Sequence, residues 1–372
     1  MIRLSKPSIT KKEIDAVSRI MKQEYLGMGP ETQSFEKNLS EYFGRSVICT
    51  SSGTSALHIA MDVIATNEPN KNEVLVPSLT FAASYQAISG AGLKPISCDI
   101  NPSTGNICSA DLIKKINKKT IAIMTVHYAG DPSGFDEVLK IGKKYKLRVV
   151  DDAAHAFGSK YKNKKIGSFG DITCFSFDGI KNITCGEGGA IISNDKKFLK
   201  RASDVRTLGI EGDSKRRYLK QRTWSFDIKS QGYRYHMSDM NAAIGVVQLK
   251  RLPTFIKKRQ SSSKRYDKLF ENSLNVSIFK RNYDEVTPHI YVVKLIKPKT
   301  RADLQDFLLK NNIQTGLHYL PNHLHSFYKN SSDKLKNVES IFPSLLTLPL
   351  HIDLKFSEQQ LIVKKINEFY KK

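Results

Sequence analysis

Between residues 51 and 158 short apolar runs alternate with helical patterns. SSGTSALHIAMDVI opens with cap-forming serines and continues as an apolar-periodic helix. EVLVPSL reads as a buried strand, TFAASYQAISGAG as a helix, and KPISCDI as a strand again. IAIMTVHYAG and LRVVDDAAHAFG repeat the motif, each an apolar run that ends in polar residues. Near-continuous apolar strands of this kind are buried on both faces, as in parallel sheets covered by helices. Ligands of open α/β sheets bind beyond the carboxyl ends of the strands. The segments 78–81, 127–130 and 151–155 are therefore expected to converge on one site.

The chain turns polar and basic over residues 200–231, and then SDMNAAIGVVQLKRLPTFIKKR reads as a long helix starting at Ser238. Beyond it, the strand signal HIYVVKLI and the helical patterns RADLQDFLLKNN and SEQQLIVKKINEFYKK describe a smaller α/β unit. The expected fold class is α/β, with a large domain over residues 1–248 and a small C-terminal domain over residues 249–372. No internal repeat or low-complexity linker interrupts it.

Composition narrows the function classes. With 372 residues and 40% hydrophobic content the chain suits a packed two-domain enzyme. No apolar run approaches the roughly 20 residues that span a bilayer, and MIRLSKPSITKKEIDAV lacks a signal-peptide core, so a cytoplasmic protein with no membrane partner is expected. Five cysteines without CxxC spacing suggest neither a disulfide framework nor a metal site. The net charge of +23 raises nucleic acid as a partner, but the cations are dispersed, as on solvated helix faces. A positive field also favours a small anionic substrate such as a nucleotide diphosphate.

The stretch FSFDGIKNITCGEGG sets Lys181 between an aromatic-apolar run and a glycine cluster. Glycines let a backbone pass close to something bulky, and a lysine held there is a candidate chemical group. Taken singly the other signals are weak: SSGTSA is a phosphate cradle or a plain N-cap, Asp152 a cap of the next turn, His155 a structural histidine. Together they fit pyridoxal phosphate (PLP), which needs an amine to hold it as a Schiff base, a carboxylate at its pyridine nitrogen, a phosphate cradle and an aromatic face. Lys181, Asp152, Gly53 with Thr54, and Phe81 offer these four.

At this point the chain resembles the DegT/DnrJ/EryC1/StrS family of sugar aminotransferases, which have the fold type I architecture of aspartate aminotransferase. The likeness runs through YLGMGPETQSFE, SSGTSALHIA, PSLTFAAS, VHYAGDPSG, VVDDAAHAFGSKYKNKKIGSFGD, FSFDGIKNITCGEGGAIISND, GYRYHMSDMNAAIGVVQL and GLHYLPNHLH. It implies that Lys181 is the Schiff-base lysine, that Asp152 partners the pyridine nitrogen, and that His155 lies near the cofactor's phenolic oxygen. It further implies that Phe81 stacks on the ring and that Gly53, Thr54 and Ser176 contact the phosphate, with less assigned to Asp151. Where the family often reads GYNYRM this chain reads GYRYHM, which sets Arg234 at an asparagine that reaches the neighbouring subunit's phosphate and His236 at the usual arginine. A guanidinium still binds phosphate, with different geometry.

The resemblance also implies a reaction. A branch that carries histidine in place of the lysine dehydrates its substrate; this chain keeps Lys181. The expected activity is ping-pong transfer of an amino group from L-glutamate to the keto group of a nucleotide-linked sugar, with Tyr319 and His323 near that sugar. The closest resemblance is to enzymes that aminate C4 of a dTDP-4-keto-6-deoxyhexose for O-antigen-type surface polysaccharide, and the expected assembly is a homodimer with shared sites. C3 amination, UDP- or GDP-linked substrates, and a fold type I enzyme acting on amino acids alone are the alternatives.

Overall fold

The computed structural model describes residues 1–371 apart from 222–224, 229 and 330–333. Its main body is a seven-stranded sheet built from β1 (Ser46–Thr50), β2 (Glu73–Pro77), β3 (Lys94–Cys98), β4 (Thr120–Val126), β5 (Arg148–Asp152), β8 (Ile172–Ser176) and β9 (Gly189–Ser193). A two-stranded hairpin, β6 (Lys160–Tyr161) and β7 (Lys164–Lys165), stands outside it. The order is β1-β9-β8-β5-β4-β2-β3, and every pairing is parallel except the two made by β9. Since β9 runs against both neighbours, β1 points the same way as the parallel strands. The carboxyl ends of β1, β2, β4, β5 and β8 therefore share one edge.

The apolar runs form strands because both faces are covered. One face packs Phe35, Phe43, Phe157, Phe175 and Phe177 into an aromatic core, and the other packs Ile59, Ala60, Ile64, Tyr85 and Phe198. Fully burying a side chain such as Phe175 stabilises the fold by about 2–3 kcal/mol relative to exposure. The expected helices are observed at Gly53–Asn67 and Ala82–Gly90.

The long helix begins where Ser238 caps it, its side chain accepting a hydrogen bond from Asn241 N–H, and runs over Asp239–Phe270 through Pro253. It extends well past Arg259, where the sequence pattern ended, and position 248/249 lies inside it, so one continuous helix serves both cores. Leu252 and Phe255 pack into the first, and Tyr266 and Phe270 into a C-terminal core around the sheet of β10 (Val276–Ile278), β11 (Tyr291–Leu295) and β12 (Leu345–Leu348). The N-terminus joins this second core: Ile2 bridges Ile313, and Leu350 N–H donates to Leu4 O. A further apolar cluster sets Leu79 and Tyr128 against Phe279, Val292 and Leu345, closing the C-terminal unit onto the functional edge of the large sheet.

Candidate active site

At that edge lies a cavity of about 440 Å³. Lys181, Asp152, His155, Gly53, Thr54, Phe81, Ser176 and Tyr319 all line it. These residues come from five separate segments, spread over more than 260 positions of the chain (Gly53 to Tyr319, a difference of 266).

The phosphate-cradle signal becomes a physical object here. Ser52 caps the helix Gly53–Asn67 by accepting a hydrogen bond from Ser55 N–H at 3.0 Å, while Ser55 Oγ accepts from Ser52 N–H at 2.9 Å. The following first-turn amides lack intrahelical partners and carry the positive end of the helix dipole. Ser176, at the end of β8, closes the cradle. A Cβ on Gly53 would stand 2.6 Å from Ser176 Cβ, which is why glycine is required there. The GEGG cluster meets the same cap: a Cβ on Gly189 would lie 2.2 Å from the Ser52 carbonyl oxygen. The bulky object that Gly189 accommodates is the protein's own helix start, whereas a Cβ on Gly188 would stand 2.6 Å from Met237 Cε.

Asp152 ends β5, and its neighbour Asp151 points to the other face because strand side chains alternate. Asp151 lies buried with its Oδ1 2.9 Å from His127 Nε2, away from the cavity lining. Asp152 is buried at the cavity wall; its Oδ2 accepts from Ser84 Oγ–H at 2.6 Å and its Oδ1 from Ala154 N–H at 3.2 Å. Burial pushes its carboxyl above the ordinary range, opposed by these bonds and by Lys181. A cation beside it would reverse that balance and favour the carboxylate.

Lys181 follows β8 in a turn whose N–H donates to Asp178 O. Burial holds its ammonium below the ordinary lysine range, against the pull of Asp152 and Asp178. More of the amine is thus neutral and nucleophilic near pH 7 than in an exposed lysine. His155 accepts from Ala129 N–H on Nδ1 at 3.3 Å, so Nε2 is assigned the proton and faces Tyr319 Oη at 2.9 Å. Burial keeps this imidazole well below its usual pKa, and therefore neutral. Phe81 is 55% exposed and its ring lies 5.4 Å from that of Tyr319, leaving an aromatic face open at the mouth.

Two expected site residues lie elsewhere. His323 is buried behind the wall: its N–H donates to Ser78 Oγ at 3.2 Å, its Nδ1 lies 2.6 Å from that oxygen, and its Nε2 stands 3.3 Å from Glu339. With Asn322, whose Nδ2 donates to Ser78 O and Thr80 O, it staples the loop bearing Phe81 to the loop bearing Tyr319. The expectation that His323 faces the sugar is corrected to this bracing position. Arg234 is exposed in a strand-like bridge to Thr207 and does not line this chain's cavity. Next to it His236 is held at about 4 by burial first and then by Arg217, Arg234 and Arg206, so it is neutral at pH 7.

Several lining or supporting residues were given no role by the sequence reading: Ser84, Asp178, Glu187 and His318, which lie within its motifs, and His289. Ser84 had a positional signal, since a residue in the first turn of the helix after Phe81 must face the same strand ends. His289 had none, because HIYVVKLI announces only a strand.

The profile of the DegT/DnrJ/EryC1/StrS aminotransferase family matches residues 7–367. The chain belongs to this family. This aminotransferase is 34% identical to a UDP-4-amino-4,6-dideoxy-N-acetyl-beta-L-altrosamine transaminase of Campylobacter jejuni, over 97% of this chain and 96% of that one. It is 30% identical to a dTDP-4-dehydro-2,3,6-trideoxy-D-glucose 4-aminotransferase of Saccharopolyspora spinosa, over 100% and 96% of the two chains. Among solved structures, the putative sugar aminotransferase Spr1654 of Streptococcus pneumoniae superposes with TM-scores of 0.90 in its PMP form and 0.89 in its PLP form. Both forms are 28% identical, cover 100% of this chain, and are themselves covered to 99% and 98%.

The aminotransferase is PLP-dependent, and the residues present fit the cofactor. The Ser52–Thr54 cradle, closed by Ser176 against a glycine that no other residue could replace, suits a phosphate. Asp152 would hold the pyridine nitrogen's proton, Phe81 would cover the ring, and Lys181 would bond the aldehyde. When bound, PLP supplies an electrophilic carbon for the amine and an electron-withdrawing ring. The chain's own part would be to keep Lys181 Nζ nucleophilic, to offer Asp152 as a carboxylate to the ring's cation, and to orient His155 through Ala129 and Tyr319.

Proposed function

We propose that this aminotransferase moves an amino group from L-glutamate to C4 of a nucleotide-linked 4-keto-6-deoxyhexose, in the cytoplasm, supplying an amino sugar for surface polysaccharide. The observation that carries the reading is the meeting of Lys181, Asp152 and the Ser52–Thr54 helix start in one cavity, in a chain of this family. The names of both relatives place an amino group at position 4 of the sugar. The net charge of +23 suits a doubly charged diphosphate. The sequence motifs favour a dTDP carrier. A UDP carrier is the second reading, favoured by the name of the Campylobacter relative at 34% identity.

A panel of dTDP-, UDP- and GDP-linked 4-keto sugars with L-glutamate, read by mass spectrometry, tests the proposal. One nucleotide sugar should gain the mass change of keto-to-amine exchange, with 2-oxoglutarate formed in equal amount. Conversion of amino acids alone, with no sugar aminated, would overturn it. Among the described residues no helix is long and apolar enough to cross a membrane.

The reading includes a homodimer whose sites are shared. In its support, an apolar groove lined by Pro7, Ile9, Ile14, Val17 and Ile244 adjoins Gly179 and Gly186, the turns on either side of Lys181. Arg234 is exposed and free to reach a neighbour's phosphate. Arg234→Ala is expected to lose cofactor retention before it alters folding. Refolding an equimolar mixture of Lys181→Ala and Arg234→Ala chains should restore about a quarter of wild-type activity, since half the dimers carry one intact site of two. Recovery of nothing, with both variants folded and each inactive, would place Arg234 outside the partner's site. An active Arg234→Ala enzyme would remove its role altogether.

A further inference from the structure

The amine of Lys181 has one polar neighbour of unexplained purpose. His289 Nε2 lies 3.5 Å from Lys181 Nζ. His289 is 3% exposed, and its ring rests against His155 with centroids 4.6 Å apart. Its backbone is held from every side. Arg259 Nη1 donates to Pro288 O and His289 O, Asn182 Nδ2 donates to Thr287 O, and Ser159 Oγ accepts from Thr287 N–H. Gln260 Nε2 donates to Val286 O. The ring itself has no comparable support, since Nδ1 is buried without a hydrogen-bond partner among the described residues. A clamped backbone thus presents an imidazole whose polar contact is the lysine amine.

Such an arrangement is costly, because a buried polar atom left unpaired, here Nδ1, loses about 1–3 kcal/mol. Phe or Leu would fill the space without that loss. In transamination Lys181 alternates between an amine bonded to the cofactor and a free amine, and only the free amine needs a protein partner. Asp152 and Asp178 attract it when it is charged, but that attraction weakens once the amine is neutral, and the polar group beside Nζ is then His289 Nε2. Burial keeps His289 well below the usual histidine pKa, with Lys181, His155, Arg259 and His318 adding to the effect, so its imidazole is neutral.

We propose that His289 is a positioning residue for the free amine of Lys181, holding Nζ at the cavity floor whenever it is not bonded to the cofactor. The proposal rests on the PLP-dependent reading of the site and not on the identity of the sugar. Its test therefore contains no sugar. Apoprotein is mixed with PLP, and the rate of bond formation to Lys181 is read from the absorbance near the visible edge; affinity for PMP, which has no aldehyde, is measured beside it. His289→Phe keeps a ring against His155 and removes the nitrogen. It should slow bond formation by about tenfold or more, while PMP affinity stays within about threefold. His289→Gln, whose amide reaches the place of Nε2, should recover most of the rate. A His289→Phe protein that bonds PLP at the wild-type rate overturns the proposal. So does a His289→Gln protein as slow as His289→Phe, or a parallel loss of PMP affinity in both variants, which marks a structural role. If His289→Phe fails to fold, His289→Leu takes its place with the same outcomes.

Discussion

Lys181→Ala should lower amine transfer by about 10⁴-fold or more, since one atom, Nζ, would both hold the cofactor's aldehyde and serve as the site's proton carrier. The fold should survive, because the Lys181 side chain opens on the cavity and the turn around it is set by its backbone N–H to Asp178 O and by Asn182, whose Nδ2 donates to Phe157 O. Borohydride reduction followed by peptide mapping provides the chemical check. In the native protein the label should fall on Lys181, and in Lys181→Ala no stoichiometric label should form. A label on another lysine would remove the central assignment. The lowered pKa of the amine adds a direction: bond formation should slow as pH falls through that value and Nζ becomes ammonium.

Asp152→Asn should lower turnover by about 10³-fold while leaving the apoprotein folded. The amide oxygen can still accept from Ala154 N–H while Nδ2 donates to Ser84 Oγ, whose hydroxyl can turn to Thr80 Oγ1, so the local hydrogen bonds survive with one reversed. It cannot supply the negative charge that keeps the ring nitrogen protonated. The stability sign is opposite to the activity sign. In the cofactor-free protein burial raises the Asp152 pKa, so its ionised form is disfavoured by folding at pH values above the unfolded pKa. The neutral amide lacks that cost, and the thermal midpoint of Asp152→Asn apoprotein should equal or exceed the native one near pH 7. Turnover close to native would show that Asp151 or no carboxylate fills this place. The buried position of Asp151 beside His127, on the opposite face of β5, argues against the first of these.

How far the chain could be read without its structure depends on the range of each interaction. Strands β2 to β5 and the helices Gly53–Asn67 and Ala82–Gly90 were legible because a strand buried on both faces leaves a continuous apolar run, and a helix leaves its 3.6-residue period and its cap. Lys181, Asp152 and Gly53 were legible for a different reason. Each sits where local backbone geometry is special, at a strand end or a helix start, and such places leave glycines, serines and carboxylates at fixed offsets along the chain. The adjacency of Asp151 and Asp152 already implied opposite faces, since side chains alternate within a strand.

The rest is a matter of tertiary contact. That β9 runs antiparallel between β1 and β8, which puts Gly189 of GEGG against the Ser52 cap, has no local signature; it is fixed by which strands pair. The place of His323 was decided by Ser78, 245 residues away, and by Glu339, which turn a polar residue of the HYLPNHLH segment away from the cavity. His289 reaches Lys181 across 108 residues because the C-terminal unit folds back along the helix Asp239–Phe270 and Arg259 on that helix grips the segment. Sequence determined which groups can do chemistry and on what kind of scaffold they stand. Only the packing of distant segments decided which of them share a cavity, because burial, charge compensation and hydrogen-bond partners are properties of neighbours in space.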